Sequence, residues 1–113
     1  IYGNDPRSAD IWQALFDYNA DVVLVGHEHS YERFAPQDPS ENANLVNGIR
    51  QFIIGTGGAS MRQYGVLKPN SEIHTADSFG VAKFELSEGK YKWEFLPAEG
   101  STFTDKGEAN CVM

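Results

Sequence analysis

Cysteine occurs once in these 113 residues, at Cys111, so no disulfide can form within the chain, and a lone thiol says little about compartment. No apolar run approaches the roughly 20 residues that a membrane-spanning helix needs, and no basic-then-apolar leader opens the sequence. No initiator methionine is present, and Ile1 opens inside what reads as structure, so the sequence reads as a piece of something longer. Basic residues are few, nine against sixteen acidic ones, for a net charge of −7, and they are scattered. Affinity for a phosphate backbone needs clustered Lys and Arg, so neither nucleic acid nor membrane is expected as a partner. Any chemistry on phosphate esters would need positive charge from another source, of which bound metal ions are one.

What is present suffices for one domain. Hydrophobic residues make up 41% and charged ones 22%, a composition that can build a core. The stretch from Gly3 to Asp21 reads as a loop and a helix. Pro6 suits an early helical position, Asp5 or Ser8 can cap, and Asn19 is a left-handed stop. Ile11, Trp12, Leu15 and Phe16 share one helical face. Val22–Val25 is a β-branched run without alternation, as in a strand buried on both faces, and helix into buried strand is half of an α/β unit. Residues 35–48 read as a long irregular loop, 49–55 as a strand, and 61–76 as a second excursion without a clean period. Residues 78–86 and 91–97, joined by the turn SEGK, form an antiparallel hairpin with Tyr91, Trp93 and Phe95 inward and Lys92 and Glu94 outward. The tail from Ala98 is expected to be irregular.

Two of the three histidines fall one residue apart in VVLVGHEHSYERF, Val22 to Phe34. In an extended segment residues i and i+2 point the same way, so His27 and His29 can aim both rings at one place while Glu28 turns aside. Gly26 lets the backbone turn as it leaves the strand. Ligands of open α/β sheets sit beyond the carboxyl ends of strands, and neutral imidazole is the commonest metal ligand. Two solvated loop histidines are the alternative.

GHEHSYERF resembles the last metal-binding motif, G-H-x-H, of the calcineurin-like metallophosphoesterases, and the YER that follows narrows the likeness to their purple acid phosphatase-like branch. ALFDYNADVVLVGHEHSYERFAPQDP, GIRQFIIGTGGAS and KWEFLPAEGSTFTDKG look like the end of such a domain, with 61–76 least characteristic. The resemblance implies an α/β fold, a four-layer αββα sandwich of which residues 1–113 would be the C-terminal portion of a single domain, carrying a mixed sheet. It implies a dinuclear centre of iron, zinc or manganese, His27 on one metal and His29 on the other, hydrolysing a small phosphate ester, first of all a monoester. A periplasmic or extracellular location is implied by the same likeness. The earlier family motifs D-x-H, G-D-x-x-Y and G-N-H-[ED] and an upstream histidine have no match here, and Gly3–Asp5 lacks the histidine of the third. The missing N-terminal part of the domain is therefore the expected partner, and the segment alone is expected to be inactive, since two histidines complete no ordinary metal site. A non-catalytic metal-binding or interaction module and a hydrolase with one metal are the alternatives.

Other candidates have plainer readings. Arg33 or Glu32 could orient ligands, or form a structural ion pair; Tyr31 could line a cleft or pack. GTGGAS, Gly55 to Ser60, lacks the ending of a P-loop and reads as a tight turn allowing close approach near the site. His74 reads as a solvated loop histidine. Glu85, Glu88, Glu94 and Glu99 read as a solvated face.

Overall fold

A computed structural model describes residues 5–63 and 65–112. Gly3 and Asn4 of the GND stretch, and Tyr64 within the 61–76 excursion, lie outside them. The chain enters through a 3₁₀ turn, Pro6–Ser8, capped by Asp5, whose carboxylate accepts from the Arg7 backbone N–H at 2.9 Å. Helix α1 follows at Ala9–Asp17 without a side-chain cap from Ser8. Asn19 stops it in the left-handed conformation at φ 58°, with Ala20 N–H on Leu15 O and Asn19 N–H on Phe16 O, the paired bonds of a Schellman ending. Trp12, Leu15 and Phe16 are half-buried, but Ile11 is 65% exposed, so the expected apolar face is narrower than its four residues.

Four strands make a mixed sheet: β1 (Val22–Val25), β2 (Tyr31–Phe34), β3 (Arg50–Ile54) and β4 (Ser71–Thr75), in the spatial order β1-β3-β2-β4. β1 runs parallel to β3, while β2 is antiparallel to both β3 and β4. Three more, β5 (Gly80–Ser87), β6 (Lys90–Pro97) and β7 (Lys106–Asn110), form an antiparallel meander. The fold is α/β with two sheets, one of them mixed. Among the described residues no helix is long and apolar enough to cross a membrane.

Three expectations are corrected. The apolar run of β1 suggests burial on both faces, yet β1 is an edge strand of the described sheet, and Leu24 is 54% exposed. β4 emerges from the aperiodic 61–76 stretch because a register shift at Arg33/Phe34 breaks its alternation, placing Ser71 and Ile73 opposite Phe34 and Arg33 with Glu72 between them. β7 emerges from the polar tail. Its composition is poor for a strand, but Gly107 gives the Trp93 indole room: a Cβ there would lie 2.5 Å from the ring.

The hairpin alternation holds: Tyr91, Trp93 and Phe95 are buried, and they meet Tyr31 and Phe52 of the mixed sheet in one core. Phe52 meets Trp93 edge-on at 5.4 Å and Phe84 at 5.0 Å, and Tyr31 lies 4.8 Å from Phe95. Aromatic pairs tilted in this way add to the burial of their area. Polar groups cross the same gap. Tyr31 donates its phenol proton to Asp105 at 2.7 Å, and Arg33 grips that carboxylate through Nε at 2.8 Å and a terminal nitrogen at 3.1 Å. Arg33 and Arg50 both pair with Glu72, and both guanidinium groups lie over the Trp93 ring, at 5.2 and 5.1 Å.

Burial first, then the hydrogen bond to Asp105 and its charge, hold the Tyr31 phenol well above the ordinary tyrosine range. An unfolded tyrosine ionises near pH ~10, where folded Tyr31 keeps its proton. The stability it contributes is complete below about pH 10 and is lost as pH rises further. Tyr31→Phe is expected to cost about 1–3 kcal/mol in urea unfolding at neutral pH, and the gap to the unaltered chain narrows above about pH 10. Asp105→Ala, which leaves Arg33 without its forked partner, is expected to cost about 3–5 kcal/mol by the same measurement.

Candidate metal centre

The chain leaves β1 at Val25 and reaches β2 at Tyr31 with only five residues between them, two of which are the paired histidines. That span is not extended. Glu28 N–H bonds Gly26 O and Ser30 N–H bonds Glu28 O, both at 2.9 Å, so two successive three-residue turns are centred on His27 and His29. His27 sits at φ 74°, a left-handed conformation uncommon for a residue with a side chain. The sharp turn thus falls on His27, not on Gly26, and the loop does not follow the alternation of an extended segment. Strain of this kind at a strand end marks a loop over-determined by its surroundings.

Those surroundings are the 55–62 segment. Gly55 N–H bonds Ser30 O at 2.9 Å and Arg62 N–H bonds His29 O at 3.1 Å. A Cβ on Gly55 would stand 1.8 Å from Glu28 O and 3.3 Å from the His29 Cα. The reading of GTGGAS as a turn permitting close approach therefore holds at Gly55. His29 Nδ1 lies 2.7 Å from Ser60 O. A carbonyl can only accept, so Nδ1 is the donor, and in the neutral ring the lone pair then lies on Nε2. A ring nitrogen tied to a backbone carbonyl is the usual way that a metal-binding imidazole is oriented.

The other named residues separate by face. Tyr31 and Arg33 point into the core between the sheets, where Tyr31 packs and Arg33 pairs with Asp105. Glu32 points to the opposite face, where it is 1% exposed, opposite Ile53 on β3 and His74 on β4. Sequence reasoning missed that neighbour: His74 is a half-buried strand residue, not a solvated loop one, and only β4 pairing could reveal it. His27 lines a groove of about 800 Å³ on this face, together with Glu28, Glu32 and Trp12. His29 is not among its lining residues. Among the described residues no three His, Cys, Asp or Glu side chains gather into a set that could hold a metal.

Gly55→Ala is expected to push the Glu28–His29 backbone away, at a cost of about 1–3 kcal/mol, and to release His29 from Ser60. Imidazole nitrogen shifts by NMR would check it: a fixed Nδ1–H tautomer in the unaltered chain, averaged tautomers in the variant. An unchanged tautomer in Gly55→Ala would contradict the clamp.

No family model matches this chain, and no solved structure matches it. Curated relatives do. It is 31% identical over 88 residues to probable inactive purple acid phosphatase 1 of Arabidopsis thaliana, covering 70% of this chain and 14% of that protein. It is 26% identical over 88 residues to a nucleotide pyrophosphatase/phosphodiesterase of Hordeum vulgare, covering 70% of this chain and 24% of that protein. It is 25% identical over 88 residues, again 70% of the chain, to probable inactive purple acid phosphatase 27 of Arabidopsis thaliana. The chain thus spans between 14% and 24% of the length of these relatives. These likenesses, at low identity over 70% of the chain, support a metallophosphoesterase-like family.

Proposed function

We propose that this chain supplies one wall of a dinuclear metal centre that hydrolyses phosphate esters, monoesters first, with His27 on one metal and His29 on the other. The observation that carries the reading is the His29 ring, fixed through Nδ1 on Ser60 O with Nε2 left as the donor nitrogen. The strained turn at His27 supports it by holding a second imidazole two residues away in a constrained loop. Imidazole donors suit iron, zinc or manganese, but two cannot complete a pair of metal shells, so the remaining ligands would come from residues outside this chain. On this reading the two sheets are the inner layers of an αββα sandwich and α1 belongs to an outer one.

Bound metals would supply charge to neutralise phosphoryl oxygens and to acidify an attacking water. The chain's own contribution is orientation. Ser60 fixes one tautomer, Gly55 sets the height of the loop, and the turns fix the spacing of the rings. No serine or cysteine nucleophile is needed. A second reading, a non-catalytic member that keeps the ligand loop, is favoured by the word "inactive" in the names of two relatives.

In the full-length protein that carries these residues, His27→Ala or His29→Ala is expected to remove most phosphatase activity and to lower the metal content, with circular dichroism unchanged. Near-wild-type turnover in either variant would sink the assignment. Metal retained without turnover in the unaltered protein would select the non-catalytic reading.

A further inference from the structure

Asn47 and Gly48 stand where an exposed loop enters β3. Asn47 is exposed, whereas Gly48, Ile49 and Arg50 are buried, Ile49 completely. Position 48 admits only glycine: a Cβ there would lie 2.7 Å from both Gln37 N and Pro36 C, and nearer still to Asn44 O. Packing therefore imposes glycine directly after an exposed asparagine.

Asn44 builds the turn that holds the pair. Its Oδ1 accepts from the Val46 N–H at 3.1 Å and the Asn47 N–H at 2.9 Å, and its backbone carbonyl accepts from the Gly48 N–H at 2.9 Å. The side chain thus mimics a backbone turn while the main chain closes a single unextended helical turn. Ile49 then exchanges N–H to carbonyl bonds with Gln37 in both directions, at 2.9 and 3.0 Å.

An asparagine followed by glycine carries a reaction of its own, one reason asparagine is a thermolabile residue. The glycine amide nitrogen, unshielded by a side chain, attacks the asparagine side-chain carbonyl carbon. A C–N bond forms, the attacking nitrogen's proton passes to the departing amide nitrogen, and ammonia leaves behind a cyclic succinimide. Water then opens either imide bond, giving aspartate or isoaspartate. In the closed turn the Gly48 nitrogen is held, because its N–H donates to Asn44 O. Reaction must pass through an opened turn, and local opening of an exposed loop costs less than global unfolding. Isoaspartate lengthens the main chain by one carbon immediately before Gly48, whose enclosure by Pro36, Gln37 and Asn44 leaves no slack.

We propose that Asn47 is a self-modification site: the turn built by Asn44 restrains its conversion to aspartate and isoaspartate, and isoaspartate there loosens the start of β3. This goes beyond the phosphoesterase reading and does not rest on it. The test keeps the full-length protein that carries these residues at neutral pH and physiological temperature, beside the free peptide N-acetyl-Leu-Val-Asn-Gly-Ile amide. Peptide mapping by mass spectrometry reads the gain when an amide NH2 becomes OH. Asn47 is expected to convert about fivefold or more slowly than the peptide, and Asn44→Ala to move its rate toward the peptide's. Hydrogen exchange at the Gly48 N–H of the unaltered protein is expected to show protection of matching size, a reading that needs no variant. The isoaspartate form, separated by its added charge, is expected to unfold at lower urea than the unmodified protein. No conversion at Asn47 while the peptide reacts to completion would overturn the site. A rate equal to the peptide's, an unprotected Gly48 N–H, or an unchanged rate in a folded Asn44→Ala would overturn the restraint. Coincident urea unfolding of the two forms would overturn the link to β3.

Discussion

Asp105, one residue before β7, ties the two sheets together, and much of the remaining structure depends on its grip. It takes the Tyr31 phenol and both ends of the Arg33 fork, so β2 is fixed against the segment that leads into β7. Arg33 in turn shares Glu72 with Arg50, which ties β2, β3 and β4 to one another, and both arginines lie on the Trp93 indole of β6. Asp105 and the two arginines are largely buried against the aromatic core while Glu72 lies at its exposed edge, and burial makes the geometry demanding: removing Asp105 leaves a charge stranded. The network therefore specifies register as well as adding stability.

That register reaches the histidine loop. β2 begins one residue after Ser30, and Gly55 at the end of β3 bonds Ser30 O, so fixing β2 against β3 fixes the loop that β1 feeds into them. With only five residues to cross from β1 to β2, the loop is drawn into two tight turns. The strain at His27 is thus a consequence of strand spacing, and the Ser60 carbonyl then determines which His29 nitrogen bears the proton. The same alternation that buries Tyr31 and Arg33 in the core sends Glu32 to the opposite face, where the groove begins.

Patterns of short range were legible in the sequence. The hairpin's alternation, the left-handed stop at Asn19, the Asp5 cap and the strand at 50–54 follow from chemistry local to a few residues. The histidine pair and its family likeness were legible too, because the motif is contiguous. β4 and β7 were not, since neither has the composition of a strand; each exists because a partner strand offers an unpaired edge. The same non-locality hid the solvent exposure of Leu24, the pairing of His74 across from Glu32, and the Tyr31–Asp105 bond that spans 74 positions.

The sequence by itself determined which residues could bind a metal, that no disulfide could form within the chain, and that the acidic chain would need charge from elsewhere to handle phosphate esters. Those are properties of residue type and short spacing. Tertiary structure alone decided the direction of each side chain: the conformation forced on His27, the Nδ1 donor of His29, the inward course of Arg33 and the burial of Glu32, whose Oε2 has no hydrogen-bond partner among the described residues. The reason is physical. Side-chain identity is written along the chain, but burial, hydrogen-bond partners and backbone strain arise only when segments distant in sequence compete for the same space.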